Sequence, residues 1–167
     1  MKEIFITTFS WDLSSLWLAA TNQGLARVEF ERARDWQQFR NSLTGFRILE
    51  KENAILEQAR DQFRSYFNGN NISFTIRLDV LGGTPFQQMV WKEVKGIPYG
   101  FTATYKQIAR RIGKAKAVRA VGAANGANPL PIVIPCHRVV SSNGKLGGYG
   151  GGLEIKDALL RLEGVVL

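Results

Sequence analysis

Cys136 and His137 are the only cysteine and the only histidine in the chain, and they are neighbours. A thiol reacts as its thiolate, and a neutral imidazole can take the proton from a thiol whose free pKa is roughly 8.5. The pair therefore has the residue types for nucleophilic catalysis. In a strand the two side chains would point to opposite faces, so they cooperate only where the chain bends or through a water molecule. A lone cysteine is also a common inert packing residue, and a lone histidine is as ambiguous. One cysteine excludes an intramolecular disulfide, and one of each excludes a zinc site with the usual Cys and His count, so neither metal nor cofactor is expected.

Two further stretches bear on this pair. The run Asn128-Pro129-Leu130-Pro131-Ile132-Val133-Ile134-Pro135 is apolar and punctuated by prolines, so it reads as a buried, stiff approach to Cys136. Towards the end of the chain, Ile155, Leu159 and Leu162 form one face of a predicted helix, with Glu163 at its margin. A carboxylate there could orient the imidazole as the third member of a nucleophile, base and orienter set; an ordinary surface acid is the other reading. Gly147-Gly148-Tyr149-Gly150-Gly151-Gly152 lacks the Lys-Ser/Thr ending of a phosphate-binding loop and suits close backbone approach to a ligand instead.

A second cluster suggests the partner. Lys106, Arg110, Arg111, Lys114, Lys116 and Arg119 fall together with no acid among them. Residues 1 to 83 carry ten basic and ten acidic side chains, whereas residues 84 to 167 carry twelve basic and four acidic, so the whole net charge of +8 lies in the second half. A polyanion fits that half, with a solvated basic surface as the bland alternative. Two short helices, Tyr105 to Ile112 and Lys116 to Ala124, flank a break at Gly113 and match a helix-turn-helix. On the second, Ala117, Val121 and Ala124 share one face, while Arg119 lies opposite beside Gly122, Ala123 and Gly126. Small residues would let the backbone approach DNA while Arg119 projects into it; a surface arginine on a well-packed helix is the competing reading.

The elements that position these residues divide near Leu81-Gly82-Gly83. Residues 1–81 read as a small α/β domain. Its strands are Leu16 to Ala20, Leu25 to Phe30 and Ser73 to Leu78, and its helices Arg34 to Leu43 and Asn53 to Phe67. Residues 84–167 read as a mainly helical domain opening at Thr84-Pro85, an N-cap followed by proline. The fold class is α+β. No apolar run is long enough to cross a membrane and the first residues carry no leader pattern, so a cytoplasmic protein is expected.

At Pro135-Cys136-His137-Arg138-Val139 the chain closely resembles the O6-alkylguanine-DNA alkyltransferases. The likeness extends from Thr84-Pro85-Phe86-Gln87-Gln88 to Glu163-Gly164 and includes Tyr105, Arg119-Ala120-Val121-Gly122, Asn128-Pro129, Tyr149, Gly151-Gly152-Leu153 and Lys156. It implies irreversible, single-turnover transfer of an alkyl group, usually methyl, from O6-alkylguanine in double-stranded DNA to Cys136. By that resemblance His137, acting through a water and held by Glu163, is the base, and Asn128 braces the turn before the Cys136 loop. Tyr105 donates a hydrogen bond to the flipped guanine, the Cys136 and Val139 carbonyls accept from its amino group, and Tyr149 and the Gly150 backbone surround O6. Arg119 fills the vacated stack, with Ala120, Gly122 and Ala123 along the minor groove. A monomer without cofactor is implied. Phe101 stands where many members have an acid, Gly150 where some have serine, and the structural zinc ligands of some relatives are absent. The rival readings are a helix-turn-helix protein that binds alkylated DNA without chemistry, whose relatives lack the acceptor cysteine, and a cysteine hydrolase.

Overall fold

The computed structural model describes residues 1–167, which divide into two compact units, Met1–Leu81 and Gly82–Leu167. The first is a four-stranded sheet with a helix on each face. Strands β1 (Lys2–Trp11), β2 (Ser14–Ala20), β3 (Leu25–Phe30) and β4 (Phe46–Leu49) lie in the order β3-β2-β1-β4. The first three form an antiparallel meander, and β4 runs parallel to β1.

β1 is buried on both sides, which accounts for its lack of clean alternation. Ile4 and Ile6 face α1 (Trp36–Ser42), packing with Ala19, Ala26, Phe39 and Leu43. Phe9 and Trp11 face α2 (Ala54–Phe67), with ring centroids 5.8 Å from Phe63 and 4.3 Å from Phe67 respectively. The sequence reading gave no strand to residues 2–11 or 46–49, and both are strands. It placed one at Ser73 to Leu78, and there is none: only Leu78 bridges Leu25. The Gln62 side chain instead takes up that backbone, accepting from Thr75 N at 3.1 Å and Ile76 N at 3.4 Å.

In the second unit two helix starts are written in side chains. Capping boxes, Thr84 with Gln87 and Thr104 with Gln107, open α3 (Pro85–Lys95) and α4 (Tyr105–Arg111). Gly113, at φ +72°, makes the turn to α5 (Val118–Gly126), which begins two residues later than its sequence pattern suggests. Val90, Trp91 and Val94 of α3 are buried with Val121 and Ala124 of α5, and the Trp91 indole donates to the Ala124 carbonyl at 2.7 Å. A two-residue parallel ladder joins β5 (Ala103–Thr104) to β6 (Val139–Val140). Helix α6 (Leu153–Leu162) closes the unit with Ile155, Lys156, Leu159 and Leu160 buried, while Leu162 is half-buried.

Candidate active site

Residues 129–140 are buried throughout. Asn128 brackets this run: its Oδ1 accepts from Leu130 N at 2.9 Å and its Nδ2 donates to the Ile134 carbonyl at 2.7 Å. Between those bonds Ile132 has φ +74°, a left-handed conformation that a β-branched residue adopts only under constraint. The Ile134 N–H closes the turn onto the Leu130 carbonyl at 2.8 Å. Cys136–Arg138 then form a single 3-10 turn rather than a strand, so adjacent side chains are not sent to opposite faces. The chain therefore bends at Cys136 and His137.

Cys136 is 6% exposed and His137 is fully buried. The imidazole Nε2 lies 2.7 Å from Glu163 Oε1. Arg138 grips the same carboxylate with Nε to Oε2 and Nη2 to Oε1, both 2.8 Å, and donates from Nη1 to the Ile97 carbonyl at 2.6 Å. Burial alone would raise the Glu163 pKa, but the bonds and charges of His137 and Arg138 overcome it and bring it to about 2. An ionised carboxylate only accepts, so the Nε2 position carries the imidazole proton and Nδ1 carries the lone pair. Burial pushes the His137 pKa below its ordinary value despite Glu163, and pushes the Cys136 thiol up against hydrogen bonds with Asn128 and Tyr149 and the Lys156 charge. At rest the pair is a neutral thiol and a neutral imidazole.

The β5–β6 ladder sets Thr104 beside Val140, and so brings Tyr105, the first residue of α4, to the chain leaving Cys136. Burial and the Cys136 charge raise the Tyr105 pKa, keeping its hydroxyl a donor. Gly147 has φ +76°, and a Cβ there would lie 2.8 Å from the Tyr105 hydroxyl, so only glycine fits. The loop bearing Gly147, Tyr149 and Gly150 is tied down by Lys156, whose Nζ donates to the carbonyls of Val139 at 2.7 Å, Leu146 at 2.5 Å and Gly148 at 3.2 Å. Desolvation lowers the Lys156 pKa to about 8, against the Cys136 charge, which raises it. Tyr149 is half-buried and Gly150 exposed.

On α5, Arg119, Ala120 and Ala123 are exposed and Gly122 is half-buried, where a Cβ would sit 3.9 Å from the Tyr105 ring. No side chain caps the start of this helix. Lys106, Arg110, Arg111, Lys114 and Lys116 are exposed, Arg111 with an ion pair to Glu93 at 3.8 Å. Three side chains at the site escaped the sequence reading as functional groups: Arg138, Lys156 and Asn125, whose Nδ2 donates to the Cys136 carbonyl at 3.2 Å. Lys156 left a signal, a lysine among Ile155, Leu159 and Leu160 on the apolar face of α6. No group of three His, Cys, Asp or Glu side chains comes together as a metal site, and no helix is long and apolar enough to cross a membrane.

Comparison with known proteins gives a consistent result. Family models described as the ribonuclease-like domain and the DNA binding domain of 6-O-methylguanine DNA methyltransferase match residues 4–80 and 85–165. A methylated-DNA–protein-cysteine methyltransferase of Methanosarcina acetivorans is 42% identical over 96% of this chain and 99% of its own length. The same-named protein of Mycobacterium tuberculosis is 55% identical over 72% of this chain and 79% of its own. A crystal structure of the Mycobacterium tuberculosis O6-methylguanine methyltransferase superposes with a TM-score of 0.82 at 41% identity, covering 96% of this chain and 92% of that one. A structure of the mycobacterial protein in complex with DNA matches with a TM-score of 0.81 at 42% identity, covering 95% and 92%.

Proposed function

The chain belongs to the 6-O-methylguanine DNA methyltransferase family, and from that premise we propose that Cys136 takes the alkyl group of O6-alkylguanine directly and keeps it. The protein binds DNA and is a repair enzyme that moves methyl groups from damaged DNA to a protein cysteine. The observation that carries the assignment of Cys136 is the chain of groups behind it: a buried thiol, an adjacent buried imidazole, and an ionised carboxylate 2.7 Å from that imidazole.

His137, neutral and with its lone pair on Nδ1, takes the Cys136 proton through a water, and Glu163 stabilises the imidazolium that forms. The sulfur attacks the alkyl carbon, the S–C bond forms and the C–O6 bond breaks. The electron pair goes to the guanine, where Tyr105 donates a hydrogen bond as charge develops. The guanine recovers a proton and stays in the DNA, His137 returns to neutrality, and the product is a thioether. A neutral thioether is not cleaved by water or thiols under ordinary conditions, so each chain reacts once.

Delivery of the base falls to the second unit. Arg119 on the small-residue face of α5 enters the duplex from the minor groove and occupies the place of the extruded base, while Lys106, Arg110, Lys114 and Lys116 neutralise phosphates. The test is to incubate the protein with duplex DNA carrying one labelled O6-methylguanine and weigh the Cys136 peptide. One methyl replaces one proton on that peptide and Cys136→Ser stays unlabelled; label on another residue, or many turnovers per chain, would sink the proposal.

A further inference from the structure

Asn125 is 4% exposed, on the buried side of α5 with Val121 and Ala124. Its Nδ2 reaches the Cys136 carbonyl at 3.2 Å, and no donor of the chain reaches its buried Oδ1. Turning the amide over would set oxygen against oxygen, so the orientation follows from the contact itself. The same Cys136 carbonyl accepts the Val139 N–H that closes the 3-10 turn. The peptide plane of the acceptor residue is thus held from within the turn and from α5.

An amide bonded on one side only is a poor choice for stability, because its unbonded oxygen has lost water for nothing in return. An apolar residue of similar size would fill the position without that penalty. The neighbouring clamps hold other carbonyls: Asn128, which also bonds the Cys136 thiol, holds that of Ile134, before Cys136, and Lys156 holds that of Val139, after it. Asn125 acts on the backbone carbonyl of Cys136 itself, and it belongs to the helix that carries Arg119 six residues earlier.

We infer that Asn125 is a positioning residue, fixing the direction in which Cys136 presents its sulfur by holding the Cys136 carbonyl from the helix that meets DNA. This rests on Cys136 being the alkyl acceptor. Because the side chain is buried on α5, its loss leaves DNA affinity alone. Because it bonds to the backbone and neither the thiol nor the imidazole, its loss leaves the pH midpoint of the reaction alone. What falls is the rate of the chemical step, since misplacement of a nucleophile by about 1 Å can cost about a hundredfold.

The experiment is single-turnover transfer from an O6-methylguanine duplex to the full chain, comparing parent, Asn125→Leu and Asn125→Ala, with Cys136→Ser as control. The limiting rate should fall by about tenfold or more in both Asn125 variants. The half-saturating DNA concentration and the pH midpoint should stay put, and Asn125→Leu should melt no lower than the parent. The inference is overturned by a limiting rate within about twofold of the parent's, or by rate and melting temperature falling together in both variants, which marks a structural residue. If Cys136→Ser still accepts the alkyl group, the acceptor assignment has failed. If it is inert while the Asn125 variants match the parent, only the positioning role has.

Discussion

Glu163 accepts one hydrogen bond from His137 and two from Arg138, and its acidity follows from them. A carboxyl held at about 2 when folded, against about 4.3 in an unfolded chain, contributes stability that is complete above about pH 5 and lost as the pH falls towards 2. His137 acts in the same direction at higher pH: its lowered pKa keeps it neutral in the fold while the unfolded imidazole gains a proton below about pH 6.5, so acid favours unfolding there too. Glu163→Gln should destabilise the protein by about 3 to 5 kcal/mol at neutral pH, because it leaves the Arg138 charge buried without its anion. The variant should also lose the steepest part of the acid transition and transfer alkyl groups more slowly; urea melts across pH 2–7 check this, and an unchanged acid slope would remove Glu163 from the account. Cys136 and His137 stood out in the sequence because they are unique and adjacent. Glu163 was legible from the residues alone as a helix-margin acid that could orient the imidazole, and its hold on His137 came from the family resemblance; the roles of Arg138 and Asn125 were hidden, since a polar residue beside an apolar run looks the same whether it meets water or a buried partner.

Elements with chemical punctuation were the easiest to read. Thr84-Pro85 announces a helix start in the sequence, and the structure has a capping box there and a second, unread in the sequence, at Thr104 with Gln107. Strands without alternation were lost. β1 is apolar on both faces because α1 and α2 cover it from opposite sides, and nothing within ten residues reports a helix that arrives later. Ser73 to Leu78 has strand-like composition, but the Gln62 side chain took the place of a partner strand. The packing that makes α5 useful was legible as pattern: Val121 and Ala124 are buried while Arg119, Ala120 and Ala123 are exposed. Arg119→Ala should therefore slow repair in duplex DNA by at least about tenfold, since extruding a paired base costs a few kcal/mol, and leave reaction with free O6-benzylguanine nearly unchanged. Equal slowing on both substrates would mean that Arg119 serves the fold.

For the molecule as a whole, the charge of the second half sets how it meets DNA. Each phosphate neutralised adds about 0.9 to the slope of log affinity against log salt, so affinity should fall steeply with salt, and Lys106→Ala should reduce the slope by about 1. A slope unaffected by that change would place Lys106 off the duplex. Reaction changes the molecule in another way. A methyl group added at a residue 6% exposed must fit into packed surroundings, which typically costs roughly 1 to 3 kcal/mol, so the methylated protein should melt below the unreacted one. Identical melting curves would mean that the space around Cys136 is roomy. Where the packing yields first follows from Ile132. Its left-handed backbone costs about 1 to 2 kcal/mol and persists only while Asn128 and the prolines hold it, so this turn gains by letting go when Cys136 is crowded. The amide hydrogens of Leu130 and Ile134, bonded at 2.9 Å and 2.8 Å inside that turn, should then exchange with solvent deuterium faster in the methylated protein while those of α3 do not. A spent molecule would carry a mark legible to solvent, two labile amides near the acceptor, well before it unfolds.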